Sequence, residues 1–355
     1  MSKVAFVPYW KEFLADRMFA EDNPGKVGDD LFKPTRLLLA ELGKLGIEAH
    51  TYDMLPLESF DAFVFCEMPD ARNPVLAFAR QSGKPTVLWV AENHFIATGN
   101  GCWDRYADFQ RVLTYNDDVV ARRGATRMSY CCSLEVKRSD VPFKERGLAS
   151  MICSRHESDD PNLQYRERLK VVRFYEKNHP GDFALYGHGW DRPSMRWSEY
   201  RLFRKLAGAV RILRKLLPYD PHPLWKGLVE RKRDVLGAYR FNYCYENTDA
   251  IPGYITEKIL DALMNETVPI YRGHPSISKY IPKSCFIDRK DFASEEDLYS
   301  YIKNMDEGKW RAYIDAAKSF LDSPAAKEFS YGQFIDVWIR CLQSVLFKVK
   351  DKINP

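Results

Sequence analysis

The stretch that decides the fold runs from Phe241 to Phe292. Its three blocks are Phe241-Asn242-Tyr243-Cys244-Tyr245-Glu246-Asn247, Tyr254-Ile255-Thr256-Glu257-Lys258-Ile259-Leu260 and Val268-Pro269-Ile270-Tyr271-Arg272-Gly273. The first and third blocks are rich in β-branched and aromatic residues and stop at turn formers, which predicts two short buried strands. The middle block predicts a helix whose first turn follows Thr256, a candidate side-chain cap.

The charges at the start of this helix indicate a bound anion. Lys258 lies in the first turn, where a positive charge opposes the helix dipole. A phosphate would reverse that cost, because free backbone N–H groups and an ammonium together form an anion site. Glu257 would then accept hydrogen bonds from ribose hydroxyls. The block favours a nucleotide-sugar site, and the alternative with the same spacing is a surface helix with ordinary charges.

The motif Tyr245-Glu246-Asn247…Tyr254-Ile255-Thr256-Glu257-Lys258…Val268-Pro269-Ile270…Gly273 resembles the donor-binding signature of the α-1,3/4-fucosyltransferases, which use GDP-fucose. The pattern continues through Pro282-Lys283-Ser284-Cys285-Phe286-Ile287-Asp288 and Asp291-Phe292. The resemblance implies a GT-B-type α/β fold, in which two Rossmann-like domains face each other across a cleft. It also implies an inverting glycosyltransferase of the bacterial type.

Composition and cysteine content limit the classes to which this protein can belong. The chain has 355 residues, 45% of them hydrophobic, and a formal charge of +4, which does not demand a nucleic-acid partner. Its eight cysteines show no zinc-binding spacing, and most lie in apolar runs that favour reduced thiols. No apolar run approaches the roughly 18–20 residues that span a bilayer. We therefore expect a cytoplasmic protein without a signal peptide or anchor.

The order of strands and helices predicts three segments. Apolar strands alternate with helices or loops in residues 1–142, which predicts an acceptor-binding Rossmann-like domain with a parallel sheet. The polar run from Glu135 to Pro142 is the predicted linker. Residues 143–335 would form the GDP-sugar domain, with a basic amphipathic insertion at about 196–218. Residues 336–355 would form a terminal helix and tail that pack back on the first domain.

A second polar motif, Ala91-Glu92-Asn93-His94, follows the predicted strand Thr86–Ala91. Ligands of open α/β sheets bind at the carboxyl ends of strands. Burial there would raise the pKa of Glu92 towards the range of a general base. The fucosyltransferases carry their proposed base in a Gly-Glu-Asn segment at a similar place, which implies that role for Glu92. His94 is a competing base, and a carboxylate that only hydrogen-bonds the loop is the structural alternative.

Two arginines compete for the pyrophosphate of the donor. In the family, apolar residues stand three, four and seven positions after this arginine and mark the inner face of a helix. Arg168 matches with Val171, Val172 and Tyr175, and Arg166 matches less well. A guanidinium can bond two phosphate oxygens at once. Arg168 is favoured, and a solvated helix face is the alternative for either arginine.

The resemblance implies the remaining roles. Lys258 and Arg168 would meet the departing pyrophosphate in place of a metal ion, so no metal or other cofactor is expected. Glu257 would hold ribose, Tyr254 would pack near the nucleotide, and Asn247 would reach fucose or phosphate. Glu246 would organise the loop or stabilise positive charge on the sugar. His188, between Gly187 and Gly189, is a further candidate near the donor.

The basic amphipathic stretch from Tyr200 to Leu217 has three interpretations. It is typical of a helix on an anionic membrane surface, of a helix that meets a lipid-linked glycan, or of a helix packed on the sheet with a solvated basic face. Peripheral contact with the inner membrane surface is therefore one expected partnership.

The function predicted from these features is α-1,3-fucosylation. The donor would be GDP-fucose, and the acceptor a hydroxyl of a GlcNAc-containing or related glycan, such as a cell-surface polysaccharide or lipopolysaccharide. Two alternatives stay open at this point. One is a glycosyltransferase that uses another GDP-sugar, and the other is a catalytically silent protein that binds a nucleotide sugar or a glycan.

Overall fold

The computed structural model describes residues 1–21, 32–191 and 222–347. Its first sheet has six parallel strands in the order β2-β1-β3-β4-β5-β6. The elements of this half are β1 (Ser2–Val7), α1 (Lys33–Lys44), β2 (Ile47–Thr51), β3 (Ala62–Cys66), α2 (Pro74–Gln81), β4 (Thr86–Val90), β5 (Arg111–Thr114), α3 (Asp117–Arg123) and β6 (Thr126–Arg127).

The second sheet has five parallel strands in the order β11-β10-β9-β7-β8. Its elements are β7 (Gly147–Ile152), α4 (Tyr165–Asn178), β8 (Phe183–Tyr186), α5 (Arg233–Leu236), β9 (Tyr239–Tyr245), α6 (Glu257–Met264), β10 (Val268–Arg272) and β11 (Ile287–Asp288), followed by α7 (Glu295–Lys303), α8 (Glu307–Leu321) and α9 (Tyr331–Leu346). The predicted α/β class is confirmed.

Strand composition explains why both sheets are parallel and covered by helices. β3 has the sequence Ala-Phe-Val-Phe-Cys, and its first four residues are all buried. A strand that is apolar at every position must be covered on both faces, as βαβ connections arrange. Helix starts are encoded locally: the side chains of Asn73 and Asn116 accept backbone N–H groups at the starts of α2 and α3.

Helix α9 packs on the first sheet although it follows the second sheet in the chain. Trp338 is fully buried, with ring centroids 5.6 Å from that of Phe6 and 5.5 Å from that of Trp89. We propose residue 142 as the boundary between two domains, and residues 336–355 as a segment of the first; the helix itself begins earlier, at Tyr331, and residues 348–355 lie outside the described ones. The support is that Pro142 lies between β6 and β7. The insertion at 196–218 lies outside the described residues.

Candidate active site

The site is built from loops at the carboxyl ends of strands in both sheets. Glu92 follows β4, and its Oε1 accepts hydrogen bonds from the backbone N–H of Asn93 (2.8 Å), the Asn93 side-chain amide (2.7 Å) and the Tyr254 hydroxyl (3.1 Å). Burial raises the pKa of Glu92, while the bonds from Asn93 and Tyr254 oppose that shift. The structure therefore gives Glu92 the raised pKa expected from the sequence.

Tyr254 joins the two halves of the molecule. Its side chain is 1% exposed, and its ring centroid lies 5.0 Å from that of Tyr115 in the first half. The hydroxyl donates to Glu92 and accepts from the side-chain amides of Asn93 (3.2 Å) and Asn247 (3.4 Å). The sequence predicted that Tyr254 lies near a nucleotide, and the structure places its hydroxyl on Glu92.

Glu246 follows β9 and holds the start of α6. It is fully buried, and its carboxylate accepts the backbone N–H of Thr256 (2.8 Å) and the Thr256 hydroxyl (2.6 Å). The prediction that the Thr256 side chain caps α6 is wrong, because that hydroxyl is bonded to Glu246 and makes no cap bond. Burial raises the pKa of Glu246, and Lys258 opposes this. These contacts favour loop organisation among the two roles considered for Glu246.

Lys258 and Glu257 stand side by side in the first turn of α6. The Lys258 ammonium lies 3.0 Å from the Thr256 hydroxyl and 3.5 Å from Oε2 of Glu246. Lys232, which the sequence analysis missed, lies 3.1 Å from Glu257 and 2.8 Å from Asp261. Although burial opposes the shift, Lys232 and Lys258 hold the pKa of Glu257 well below its usual range. The available signal was the basic run Arg231-Lys232-Arg233.

Arg168 belongs to the buried face of α4, as predicted. The buried residues of this helix are Arg168, Val171, Val172 and Tyr175. The guanidinium donates to the Tyr245 carbonyl (2.7 Å) and to Oδ1 of Asn247 (2.8 Å), while its buried Nε has no hydrogen-bond partner within the described residues. Arg166 is exposed and pairs with Asp159. Arg168 is therefore the arginine that the fold brings to the end of β9.

Within the described residues, neither candidate histidine has a side-chain hydrogen bond to this group, although His94 directly follows Asn93 in the chain. The His94 ring contacts the Phe95 ring at a tilt of 43°, with ring centroids 4.3 Å apart, and burial lowers the pKa of His94. His188 is exposed, and its carbonyl accepts the backbone N–H of Arg155. Gly187 beside it has φ +121°, and a Cβ there would meet the Cys153 carbonyl oxygen at 2.2 Å. The turn at His188 therefore requires glycine.

Sequence reasoning also missed Glu67, a buried carboxylate directly after β3. It accepts hydrogen bonds from the backbone of the Glu92 loop and from the side chain of Asn100. Burial raises its pKa to about 8. Its position after a buried strand, like that of Glu92, was the signal that could have found it.

Within residues 1–21, 32–191 and 222–347, no group of three or more His, Cys, Asp or Glu side chains is arranged to hold a metal ion. No helix in the same ranges is long and apolar enough to cross a membrane. The basic stretch from Tyr200 to Leu217 lies outside them, so its predicted contacts stay predictions.

Comparisons with known proteins match the part of this site that lies in the second half of the chain. Residues 224–321 match the model of glycosyltransferase family 10 (fucosyltransferase), C-terminal part. The chain is 41% identical to the α-(1,3)-fucosyltransferase FucT of Helicobacter pylori over 87 residues, 24% of this chain and 18% of that protein. It is 36% identical to an α-(1,4)-fucosyltransferase of Arabidopsis thaliana over 70 residues, 20% and 17% of the two chains. The match thus spans less than a fifth of the length of these relatives.

A solved structure shares the overall fold. It is an α-1,3-fucosyltransferase with GDP-fucose, 19% identical, with a TM-score of 0.54 over 99% of this chain and 91% of the other. The predicted GT-B-type arrangement is confirmed. The resemblance to the α-1,3/4-fucosyltransferases is confirmed over residues 224–321.

Proposed function

We propose that this chain transfers L-fucose from GDP-fucose to a hydroxyl of a GlcNAc-containing glycan and forms an α-1,3 linkage with inversion. The observation that carries the proposal is the 3.1 Å hydrogen bond from Tyr254 to Glu92. Tyr254 lies in the segment that matches the fucosyltransferase family, and Glu92 ends a strand of the other sheet. A base candidate and a donor-site candidate are therefore in contact.

The donor would lie at the carboxyl ends of β9 and β7, near the start of α6. Lys258 and Arg168 are the cations that would bind the pyrophosphate, and Asn247 is bonded to Arg168 at 2.8 Å. Glu257, kept ionised by Lys232, would accept hydrogen bonds from ribose hydroxyls. Tyr254 would close the inner end of this site. These roles come from motif positions within residues 224–321 together with these contacts, except that of Arg168, which rests on the family resemblance of α4 and on its bond to Asn247.

In the proposed reaction, Glu92 accepts the proton of the acceptor hydroxyl while that oxygen attacks the anomeric carbon of fucose. The bond between this carbon and the pyrophosphate oxygen breaks, and GDP leaves with the electron pair. Fixed cations stabilise the departing charge without reorganising solvent, which is the role of Lys258 and Arg168. The raised pKa of Glu92 suits a base that works near neutral pH.

The α-1,3 linkage, the polysaccharide or lipopolysaccharide acceptor and a cytoplasmic location are the finer parts of the proposal. The matched relatives are named for α-1,3 and α-1,4 linkages alike, so fucosyl transfer is the feature that they share. All eight cysteines are free thiols, several of them in the apolar clusters, which supports a reducing compartment. Peripheral membrane contact rests on the sequence between 200 and 217 alone.

The test measures transfer from GDP-fucose to an N-acetyllactosamine-type acceptor, with and without chelator, for the wild type and Glu92→Gln. The wild type should transfer fucose in chelator, and Glu92→Gln should lose at least about a hundredfold in kcat with little change in GDP-fucose Kd, because only the proton acceptor is lost. His94→Asn is the matched control and should keep activity. Transfer of another GDP-sugar instead, or binding without turnover for any acceptor, would contradict the fucosyltransferase proposal.

A further inference from the structure

Glu67 is a buried carboxylate behind the loop that carries Glu92. β3 and β4 are paired in parallel, so the residues that follow them meet at one edge of the sheet. Oε1 of Glu67 accepts the backbone N–H of Glu92 (2.9 Å) and of Ala91 (3.2 Å). Glu67 therefore holds the backbone N–H groups of both Ala91 and Glu92, while the Tyr130 hydroxyl holds the Ala91 carbonyl (2.6 Å).

Asn100 is hydrogen-bonded both to the loop that follows β3 and to the loop that carries Glu92. Its side-chain amide donates to Oε2 of Glu67 (2.6 Å) and to the carbonyl of Glu92 (2.9 Å), while its Oδ1 accepts the backbone N–H of Met68 (2.8 Å). Asn100 is itself 2% exposed. The carboxylate, the amide and the Glu92 backbone thus form one buried polar network, which fixes geometry when every member is satisfied.

Stability alone does not account for a glutamate at this position. Burying a carboxylate costs several kcal/mol, and an apolar side chain would avoid that cost. Glu67 also has φ +73°, a left-handed conformation that is unfavourable for a glutamate. Two unfavourable features at one residue beside a reactive group are typical of functional sites.

We propose that Glu67 positions Glu92 for proton transfer by holding the Ala91-Glu92 backbone. This inference rests on the function proposed above, in which Glu92 is the base. Glu67 has no described contact with the family-matched segment, so it acts through Glu92 and is a positioning residue.

The charge of Glu67 changes with pH, so a pH profile of activity can test this positioning role. Burial raises its pKa to about 8, against the hydrogen bonds from Asn100, Glu92 and Ala91, so Glu67 gains negative charge as pH rises through about 8. A charged carboxylate accepts N–H bonds more strongly and makes the nearby Glu92 more basic. Apart from Glu92, the titratable groups that face Glu67 stay neutral at this pH because burial raises the pKa of each, and they are Cys66, Tyr106, Tyr115 and Tyr130.

The test compares Glu67→Gln with the wild type from about pH 6 to about pH 9. In the variant an amide NH2 group replaces one of the two carboxylate oxygens that accept hydrogen bonds from Ala91, Glu92 and Asn100. We therefore expect kcat to fall by at least about tenfold while the Kd for GDP-fucose stays within about twofold. The wild-type profile of kcat/KM should show an inflection near pH 8 that the variant lacks. Partial unfolding of the variant would lower kcat/KM by the same factor at every pH and would leave the shape of the profile unchanged. A Glu67→Gln profile of wild-type shape therefore overturns the inference.

Glu266→Gln is the matched control. Glu266 is also a buried glutamate with positive φ, but it pairs with Arg146 and Lys318 in the second half of the molecule. This variant should keep the wild-type profile. If the wild type does not transfer fucose, or Glu92→Gln does, the proposed function fails instead. Carbon NMR of the Glu92 carboxyl then decides separately, because Glu67→Gln must change its titration, and an unchanged titration overturns the positioning role.

Discussion

At the scale of single residues, one oxygen atom carries the contact between the two halves of the site. The Tyr254 hydroxyl donates to Glu92 and accepts from Asn93 and Asn247. An unpaired buried donor costs about 1–3 kcal/mol, so both amides depend on this oxygen. The hydroxyl therefore helps Asn93 to orient Oε1 of Glu92, and its bond partly opposes the rise in the Glu92 pKa that burial causes.

Replacing Tyr254 with phenylalanine keeps the ring and removes this oxygen. We expect kcat to fall by roughly tenfold or more, because Glu92 loses the donor that orients it, and the free energy of unfolding to fall by about 1–3 kcal/mol. Transfer assays and urea denaturation measure the two effects. Tyr115→Phe removes a hydroxyl from a neighbouring buried ring and should leave transfer unchanged. Equal activity in both variants would show that the Tyr254 hydroxyl has no catalytic consequence.

At the scale of elements, the loop between β9 and α6 is seated on the first half of the molecule. The Pro252 carbonyl accepts the backbone N–H of Asp117 in the first half (3.1 Å). The Gly253 N–H donates to the Ser276 hydroxyl in the second half (2.8 Å). A Cβ on Gly253 would lie 2.4 Å from the Tyr115 carbonyl oxygen. The loop that carries Tyr254 therefore fits only if residue 253 lacks a side chain.

Gly253→Ala should separate this loop from the β5–α3 connection. We expect loss of most transfer activity and a drop in Tm larger than backbone strain alone explains, because backbone atoms of both halves must move. Gly83→Ala is the matched control, since Gly83 also has positive φ but a Cβ there would meet no other described residue within 4 Å. Similar Tm values for the two variants would contradict the close approach.

At the scale of the whole molecule, α9 closes the core of the first half. Trp338 lies between the rings of Phe6, Trp89 and Phe334. Trp338→Ala should lower the free energy of unfolding by about 3–5 kcal/mol because it leaves a large cavity. Trp338→Phe keeps an aromatic ring and should cost clearly less. Calorimetry measures both, and a small equal effect would show that α9 contributes little to this core.

The sequence predicted those parts of the site that depend on short-range patterns. The buried face of α4 that includes Arg168 was predicted from the family's spacing of apolar residues, and the position of Glu92 from its place after an apolar strand. The partners of Glu67 and Lys232 lie about 25 residues away in the chain, and no periodicity records such contacts. Thr256 occupies the predicted cap position, but buried Glu246 competes for its hydroxyl, and tertiary contact overrode the local preference.

The return of α9 to the first sheet has a consequence for biosynthesis. Every described strand of the second sheet has been synthesised by residue 288, and the helices packed with it by residue 321. The apolar face that Trp338 covers must wait until residues 331–346 have been made. During translation the half begun first is therefore the half finished last, and its uncovered face is the surface on which a nascent-chain chaperone would be expected to act.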